Sequence, residues 1–163
     1  MYSASVGVYS RVLTNLDAIL DKAVAWADER KLDHAALLQA RLAPDMFPLI
    51  RQVQIASDMI KGTVSRLAGV EPPRFEDTEQ SFADLKVRIA KTLGFIRSVA
   101  EAQFEGSEDR TVLLQMRTRK LEFKGLAYLQ DFGTPNVYFH YSMVYALLRH
   151  NGLAIGKADF TGA

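Results

Sequence analysis

The sequence predicts an all-α fold: a four-helix bundle with a small β-hairpin inserted between the third and fourth helices. Three long segments carry apolar residues at alternating steps of three and four, which is the pattern of a helix with one buried face. A fourth such segment ends at Gly152, and residues 119–124 alternate polar and apolar side chains as a strand does. With 163 residues, 48% of them hydrophobic, we expect one domain that spans residues 1–163.

The first helix is predicted from residue 4 to residue 29. Its inward-facing stripe consists of Val6, Tyr9, Leu13, Leu16, Leu20, Ala23 and Ala27. Asp33 is a suitable N-cap for a short helix that extends to Leu38. Pro44 then interrupts the helical pattern, because proline lacks a backbone N–H and its ring clashes with the preceding turn.

The second and third helices are separated by a loop that contains two consecutive prolines. Gly69 ends the second helix, since glycine readily adopts the left-handed conformation that follows a helix. The buried stripe of this helix is Leu49, Ile50, Val53, Ala56, Ser57, Ile60, Val64 and Leu67. The third helix is predicted from Thr78 to Phe104, with Asp84 and Arg88 paired on its outer face. Its inward residues are Phe82, Leu85, Ile89, Leu93, Ile96 and Ala100.

The fourth helix follows the hairpin after one short helical segment, predicted over residues 125–132 and ended by Gly133. Thr134 is the expected N-cap of the fourth helix, and Pro135 occupies its first helical position, where a missing N–H does no harm. Gly152 ends this helix.

The residues that follow Gly152 form a short tail. In this tail the large apolar side chains Ile155 and Phe160 alternate with polar residues. Because side chains of this size are rarely left in solvent, we expect residues 156–162 to be ordered against the bundle.

The charge balance argues against a nucleic-acid partner. Twenty basic and nineteen acidic residues leave a formal net charge of +1, whereas proteins that bind nucleic acid usually carry a basic excess. Glu122 interrupts the densest basic run, whose alternation is typical of a solvated hairpin face. That run is Arg117, Arg119, Lys120 and Lys124.

The sequence also contains no cysteine and no run of about 18 apolar residues. Its first residues lack the basic and apolar regions of a signal peptide. We therefore expect no membrane partner and a cytoplasmic location. Any catalysis must use groups other than a thiolate, and any metal site must use ligands other than sulfur.

Two of the three histidines, His140 and His150, lie on the fourth helix. Ten residues of helix separate them by about 15 Å and rotate them about 80° apart, so they cannot share one metal ion. His150 is expected to interact with the negative end of the helix dipole, and His34 to lie at the surface. His140 falls on the inward stripe, where its imidazole must be paired or must line a polar cavity.

The second helix offers candidate partners for His140, and tyrosines surround it in the sequence. We expect His140 to be buried, neutral at pH 7 and hydrogen-bonded to Gln54 or Asp58. The candidate ligand-binding residues are His140, Gln54, Asp58, Tyr128 and Tyr138, and the candidate catalytic residues are His140, Asp58 and Tyr141. The same residues also suit a bundle core in which buried tyrosines bond to polar neighbours without any ligand.

Four segments carry a resemblance to one family. They are RLAPDMFPL (41–49), QVQIASD (52–58), YFHYSMVYALLRHNG (138–152) and IGKADFTG (155–162). The chain resembles DUF1993, a bacterial and fungal family of unknown function in the DinB/YfiT-like superfamily. The resemblance implies a DinB-like four-helix bundle that is often a dimer, so we expect a homodimer.

Many members of that superfamily hold a divalent metal through three histidines, one on helix two and two spaced i,i+4 on helix four. His140 corresponds at most to one of these ligands, because Asn136 and Val144 stand four residues before and after it. The second helix carries no histidine. We therefore expect no metal and no cofactor, and the resemblance itself brings no established activity.

Two hypotheses from different classes follow. In the first, the protein is a non-catalytic bundle that acts by self-association or partner binding, with a polar network where relatives hold a metal. In the second, it is an enzyme or a binder of an unidentified small molecule, in which His140 acts as a base or weak metal ligand in a pocket between helices two and four. Asp58 or Gln54 and a tyrosine hydroxyl would assist it. The sequence favours the first hypothesis and leaves open whether the protein is an enzyme.

Overall fold

Helices make up most of the chain, as the sequence predicts. The computed structural model describes residues 1–116 and 118–163. Its elements are α1 (Val8–Glu29), α2 (His34–Leu38), α3 (Leu49–Ala68), α4 (Phe82–Ser98), β1 (Thr111–Gln115), β2 (Lys120–Lys124), α5 (Gly125–Ala127), α6 (Thr134–His150) and α7 (Lys157–Thr161). The helices α1, α3, α4 and α6 are long and build the bundle, and the two strands lie between α4 and α6 in the sequence.

The four long helices share one core. Helix α3 packs against both α4 and α6, and α1 packs against the same two helices. Their apolar stripes therefore face one another, which is the arrangement of a four-helix bundle. Fully buried side chains from all four helices include Leu16, Leu20, Val53, Ile60, Leu85, Val137 and Val144. The predicted all-α bundle is confirmed. Within the described ranges, no helix combines the length and apolarity that crossing a bilayer requires.

Local signals place the ends of the first helices correctly. The Asp33 side chain accepts a hydrogen bond from the Ala35 N–H at 2.8 Å and so caps α2. Pro44 lies in a turn between α2 and α3. Helix α3 ends at Gly69, whose φ of 71° is left-handed. The only departure is at the start, where Ser3–Gly7 forms a π-helical turn before α1.

The third long helix is shorter than predicted at both ends. It begins at Phe82 and not at Thr78, because Ser81 and Asp84 form a capping box. The Ser81 hydroxyl accepts from the Asp84 N–H at 3.1 Å, and the Asp84 carboxylate accepts from the Ser81 N–H at 3.0 Å. The helix ends at Ser98, and a separate 3₁₀ turn, Glu101–Phe104, follows.

Two side chains of this region face opposite to prediction. Ala100, predicted inward, is exposed because the helix has already ended. Arg88, predicted to pair with Asp84 on the outer face, is only 2% exposed. The Asp84 carboxylate accepts hydrogen bonds in the helix cap and remains at the surface. The buried position of Arg88 is the largest difference between the expected and observed faces of α4.

The predicted hairpin is present. Strands β1 and β2 pair antiparallel, with Thr111 opposite Lys124 and Gln115 opposite Lys120. The buried side chains Val112 and Leu114 alternate with exposed ones along β1, and the two lysines and the one glutamate of β2 are exposed. Arg117, the first residue of the predicted basic run, lies outside the described residues.

The predicted break before α6 is absent. The backbone is helical from α5 through a π-helical segment, Tyr128–Gly133, and continues directly into α6. Gly133 has a helical φ of −59° and does not end a helix. Its lack of a side chain serves close packing instead, since a Cβ there would lie 2.8 Å from Cγ2 of Thr63. Thr134 is likewise helical and not a cap, and its hydroxyl lies 3.1 Å from the Tyr9 hydroxyl.

The tail is ordered against the bundle, as predicted. Helix α7 packs along α1. The Phe160 ring stacks on Tyr141 with centroids 4.2 Å apart. The Phe160 carbonyl oxygen accepts hydrogen bonds from Asn15 at 3.2 Å and from the Tyr141 hydroxyl at 2.8 Å. Gly152, whose φ is 110°, reverses the chain after α6 and so directs the tail back onto the bundle.

Candidate functional site

His140 lies on α6 beside the start of α3 and is half-buried, not buried as predicted. Its Nδ1 atom is 2.7 Å from Oε1 of Gln52, and Nε2 of Gln52 donates to the Phe47 carbonyl oxygen at 3.1 Å. A carbonyl oxygen can accept only from the NH₂ end of an amide, so the contact with Phe47 fixes which way Gln52 points. The Gln52 oxygen is then an acceptor, and Nδ1 of His140 must carry the proton.

The imidazole of His140 is therefore held as one neutral tautomer. Burial lowers the pKa of His140 below its ordinary value of 6.5, because low-dielectric surroundings disfavour the charged form. At pH 7 the ring has a proton on Nδ1 and a lone pair on Nε2. No group of the described residues bonds to Nε2. The ring can accept one hydrogen bond from outside the chain.

The predicted partners Gln54 and Asp58 do not meet His140. Gln54 instead donates to a Glu79 carboxylate oxygen at 2.7 Å, and Asp58 makes ion pairs with two basic side chains. Residues two apart on a helix point about 200° apart, so Gln52 and Gln54 cannot both face α6. The prediction of a helix-two partner is right about the helix and wrong about the residue.

Arg88 is the buried centre of a cluster of charged groups. Its Nη1 donates to Oε1 of Glu79 at 2.9 Å and to the Glu76 carbonyl oxygen at 3.2 Å. Its Nη2 lies 2.9 Å from Oδ1 of Asp58 and 3.1 Å from Oδ1 of Asp77. One guanidinium thus joins α4 to α3 and to the loop that precedes α4.

Two further cations complete this cluster. Arg51 bonds to Asp77, and Nζ of Lys61 lies 3.0 Å from Oδ1 of Asp58. The Lys61 ammonium also lies over the Phe75 ring, 4.2 Å from its centroid. The Arg88 cluster consists of three cations, Arg51, Lys61 and Arg88, and three carboxylates, Asp58, Asp77 and Glu79. Its charges balance, so the buried guanidinium of Arg88 has the counter-charges that its burial requires.

The cluster fixes the ionisation of its members. Burial works to raise the pKa of Asp77 and of Glu79, but hydrogen bonds and nearby cations outweigh burial and hold both pKa values below their usual range. The cations are Arg51 and Arg88 for Asp77, while Glu79 accepts from Arg88, from its own backbone N–H and from Gln54. Burial works to lower the pKa of Arg88, and its carboxylate partners raise it overall. These three groups are charged at neutral pH.

Sequence reasoning missed the Arg88 cluster, although one signal for it exists. Leu85, Arg88, Thr92 and Ile96 are spaced by three, four and four residues, and all four are buried. This spacing places Arg88 on the inward stripe. Once Asp84 is assigned to the capping box, the apparent outer pair of Asp84 and Arg88 disappears.

The three tyrosines predicted around His140 lie apart from it. Tyr128 is fully buried, and its hydroxyl accepts from an α3 guanidinium at 3.2 Å. Tyr141 donates its hydroxyl to the tail at Phe160, and burial raises its pKa well above the ordinary range. Tyr138 is exposed, and its ring lies 6.4 Å from the Phe160 ring. The described contacts join none of the three to the imidazole.

Neither of two cavities formed by the described residues includes His140, Gln54 or Asp58. The larger, of about 450 Å³, lies between α4 and the loop before it. Its residues are Arg74, Phe75, Glu76, Thr78, Glu79, Gln80, Asp84, Val87, Arg88 and Lys91. The smaller, of about 210 Å³, lies beside the tail and contains Tyr138 and Tyr141. The larger of these two cavities lies on α4, whereas the second hypothesis expects its pocket between α3 and α6.

The residues around His140 do not fit the three-histidine metal site of DinB-like proteins. The neighbour on α3 is an amide, and its oxygen already accepts the Nδ1 proton. Among the described residues, no group of three or more histidine, aspartate or glutamate side chains is placed to hold a metal ion. His140 thus stands alone where a ligand set would need two more donors.

A DinB-like bundle with this altered site is the class that the fold and the residues define. The sequence model named Domain of unknown function (DUF1993) matches residues 1–161, and the chain belongs to that family. The chain is similar to a DinB family member protein from Shewanella denitrificans, whose crystal structure was solved at 1.83 Å resolution. The two are 41% identical over 99% of this chain and 92% of that one, with a TM-score of 0.94. No curated protein matches the chain.

Proposed function

We propose that the protein is a non-catalytic DinB-like bundle that acts by self-association, and that two copies meet through the His140 face. This face consists of Phe47, Gln52, Phe139 and His140. The observation that carries the proposal is that Phe47 and Phe139 are 53% and 54% exposed beside Gln52 and His140, which bond to each other and leave one acceptor, Nε2 of His140, for a partner. Exposed aromatic rings beside a small number of polar groups are typical of the centre of a protein interface.

Burial of the His140 face against a second copy leaves little uncompensated charge. The imidazole is neutral at pH 7, because burial lowers its pKa, and Gln52 is bonded at both ends of its amide. The Phe139 ring already packs edge-to-face on the imidazole at 5.2 Å. A two-fold contact brings the same face of both copies together, and a net charge of +1 per chain opposes this only weakly.

Light scattering over a range of protein concentrations tests the proposal. We expect the wild type to have about twice the 18.2 kDa mass of one chain. Phe139→Glu places two like charges close together across the two-fold axis, so it is expected to give 18.2 kDa. The matched control is Leu113→Glu on β1, which adds the same charge at a side chain that is 67% exposed.

Two outcomes would contradict the proposal. A wild-type mass that stays at 18.2 kDa at every concentration removes self-association altogether. If the Phe139→Glu variant remains dimeric, or if the Leu113→Glu variant dissociates, the interface does not lie on the His140 face. Circular dichroism of each variant shows that the bundle itself is intact.

A further inference from the structure

The smaller cavity lies where three helices meet. One wall is a single face of α1, with Val8, Arg11, Val12 and Asn15 at spacings of three, one and three residues. Residues of α6 and α7 supply the other walls. The cavity is therefore complete only while the tail is docked on the bundle.

The cavity has an apolar interior and a polar opening. Val12 and Tyr141 are buried, and the half-buried Phe160 ring stacks on the Tyr141 ring. Arg11 and Tyr138 are exposed and lie at the opening. A cavity of roughly 150 Å³ accommodates benzene, so the volume of about 210 Å³ has room for a ring of that size and one small polar group.

Three polar side chains of the cavity already bond within the chain. Nδ2 of Asn15 donates to the Phe160 carbonyl oxygen at 3.2 Å, and the Tyr141 hydroxyl donates to the same oxygen at 2.8 Å. The Thr161 hydroxyl donates to the Lys157 carbonyl oxygen at 3.0 Å. These three donors serve the tail and its attachment to the bundle.

Two other donors of the cavity have no partner within the described residues. The Arg11 side chain makes no ion pair there, and the Tyr138 hydroxyl makes no hydrogen bond. Arg11 is also the one charged side chain among the described residues that line the cavity. The nearby acidic residue of the tail, Asp159, is paired with Lys22. The lining charge is therefore +1, which favours an anionic ligand.

We propose that this cavity binds a small monocarboxylate whose body is about the size of a benzene ring. The Arg11 guanidinium pairs with the carboxylate at the opening, and the Tyr138 hydroxyl donates a hydrogen bond to it. The body packs on Val12 and Phe160, which an inorganic anion would leave uncovered. The inference is independent of self-association, because none of these residues belongs to the His140 face.

Benzoate is the probe that tests this proposal, in a titration of the full chain at pH 7 followed by ¹⁵N–¹H NMR. We expect saturable shifts at the backbone amides of Arg11, Tyr138 and Thr161, one from each helix of the cavity. Benzamide has the same shape without the charge, so we expect it to bind about tenfold more weakly. An absence of saturable shifts up to about 10 mM benzoate, or equal affinities of benzoate and benzamide, overturns the proposal. Equal affinity of inorganic phosphate at these amides overturns the role of the apolar interior.

Surface variants test the two donors. Arg11→Gln is expected to weaken benzoate binding about tenfold and Tyr138→Phe about threefold. Both side chains are exposed, so the fold does not depend on them. Arg30→Gln removes the same charge about 28 Å further along the axis of α1, where salt screens it from the cavity, and should leave the affinity unchanged. Wild-type affinity of Arg11→Gln or Tyr138→Phe, or an equal loss for Arg30→Gln, overturns the assignment of this site.

Discussion

His140 and Arg88 are two basic side chains that point inward from different helices of the same bundle, and the chain accommodates them in opposite ways. His140 bonds to an amide at 2.7 Å, stays half-exposed and loses its charge. Arg88 bonds to carboxylates, is 2% exposed and keeps its charge. Histidine can give up a proton when water is withdrawn, whereas arginine cannot, so only arginine must be supplied with counter-charges.

This contrast implies different energetic roles. A neutral hydrogen bond such as that between His140 and Gln52 contributes about 1 kcal/mol. A buried guanidinium paired with carboxylates gives little net stability, but its removal leaves several carboxylates without their shared cation and is costly. We therefore expect the Arg88 cluster to respond much more strongly to mutation than the His140 face.

The largest effect is expected for Arg88→Met. The substitution keeps much of the side-chain volume but leaves the Asp58, Asp77 and Glu79 carboxylates without their shared cation. The free energy of unfolding in urea should fall by about 3–5 kcal/mol. Arg97→Met, at an exposed position of the same helix, should change it by less than about 0.5 kcal/mol. Equal stabilities of the two variants would show that Arg88 contributes no more to the free energy of unfolding than a surface arginine does.

An intermediate effect is expected from acid. The pKa values of Asp77 and Glu79 in the folded chain lie below their usual values, so the unfolded chain binds their protons first. The stability that they contribute is complete above about pH 4.5 and is lost as the pH falls through the lower folded pKa values. Urea unfolding at several pH values should show this loss for the wild type.

Glu79→Gln is the control for the acid titration. It removes one of the lowered carboxylates while an amide still fills the space beside Arg88. We expect it to be about 1–3 kcal/mol less stable than the wild type at pH 7 and to lose less stability between pH 5 and pH 3. A pH profile parallel to that of the wild type would mean that Glu79 does not contribute to acid sensitivity.

The smallest effect is expected at His140. His140→Ala leaves the Gln52 oxygen without its donor and should lower the free energy of unfolding by about 1–2 kcal/mol. His140→Gln keeps an N–H donor and should lose less. Because the folded pKa of His140 is below 6.5, the wild type should lose some stability as the pH falls from 6.5 through that lower value. Both variants should lack this step, and its persistence would assign it to another group.

Local sequence signals predicted the parts of the fold that depend on neighbouring residues. Asp33, Gly69 and Gly152 act on the backbone within a few positions of themselves, and each was placed correctly. The inward direction of His140 follows from helical periodicity in the same way. The choice of Gln52 over Gln54 depends on the rotation of α3 about its own axis relative to α6, which periodicity within either helix does not determine.

The Arg88 cluster depends on contacts between distant parts of the chain. Asp58 belongs to α3, and Asp77 and Glu79 belong to a loop without a periodic pattern. Helical spacing places Arg88 on the inward stripe of α4, but nothing local identifies the carboxylates from α3 and the loop that neutralise it. Gly133 shows the same limit: its role comes from Thr63, seventy positions earlier in the chain, and not from the ending of a helix.

The loop that binds to Arg88 also contains a bond that proteases can cleave. Residues 70–80 have no regular secondary structure, and the exposed Arg74 with Phe75 after it is a peptide bond that trypsin would normally cut. Proteolysis, however, requires the segment around the bond to detach from the fold first. The Glu76 carbonyl and the Asp77 carboxylate, immediately beyond this bond, are both held by Arg88. We therefore expect a side chain of α4 to slow cleavage after Arg74, a residue of a different element.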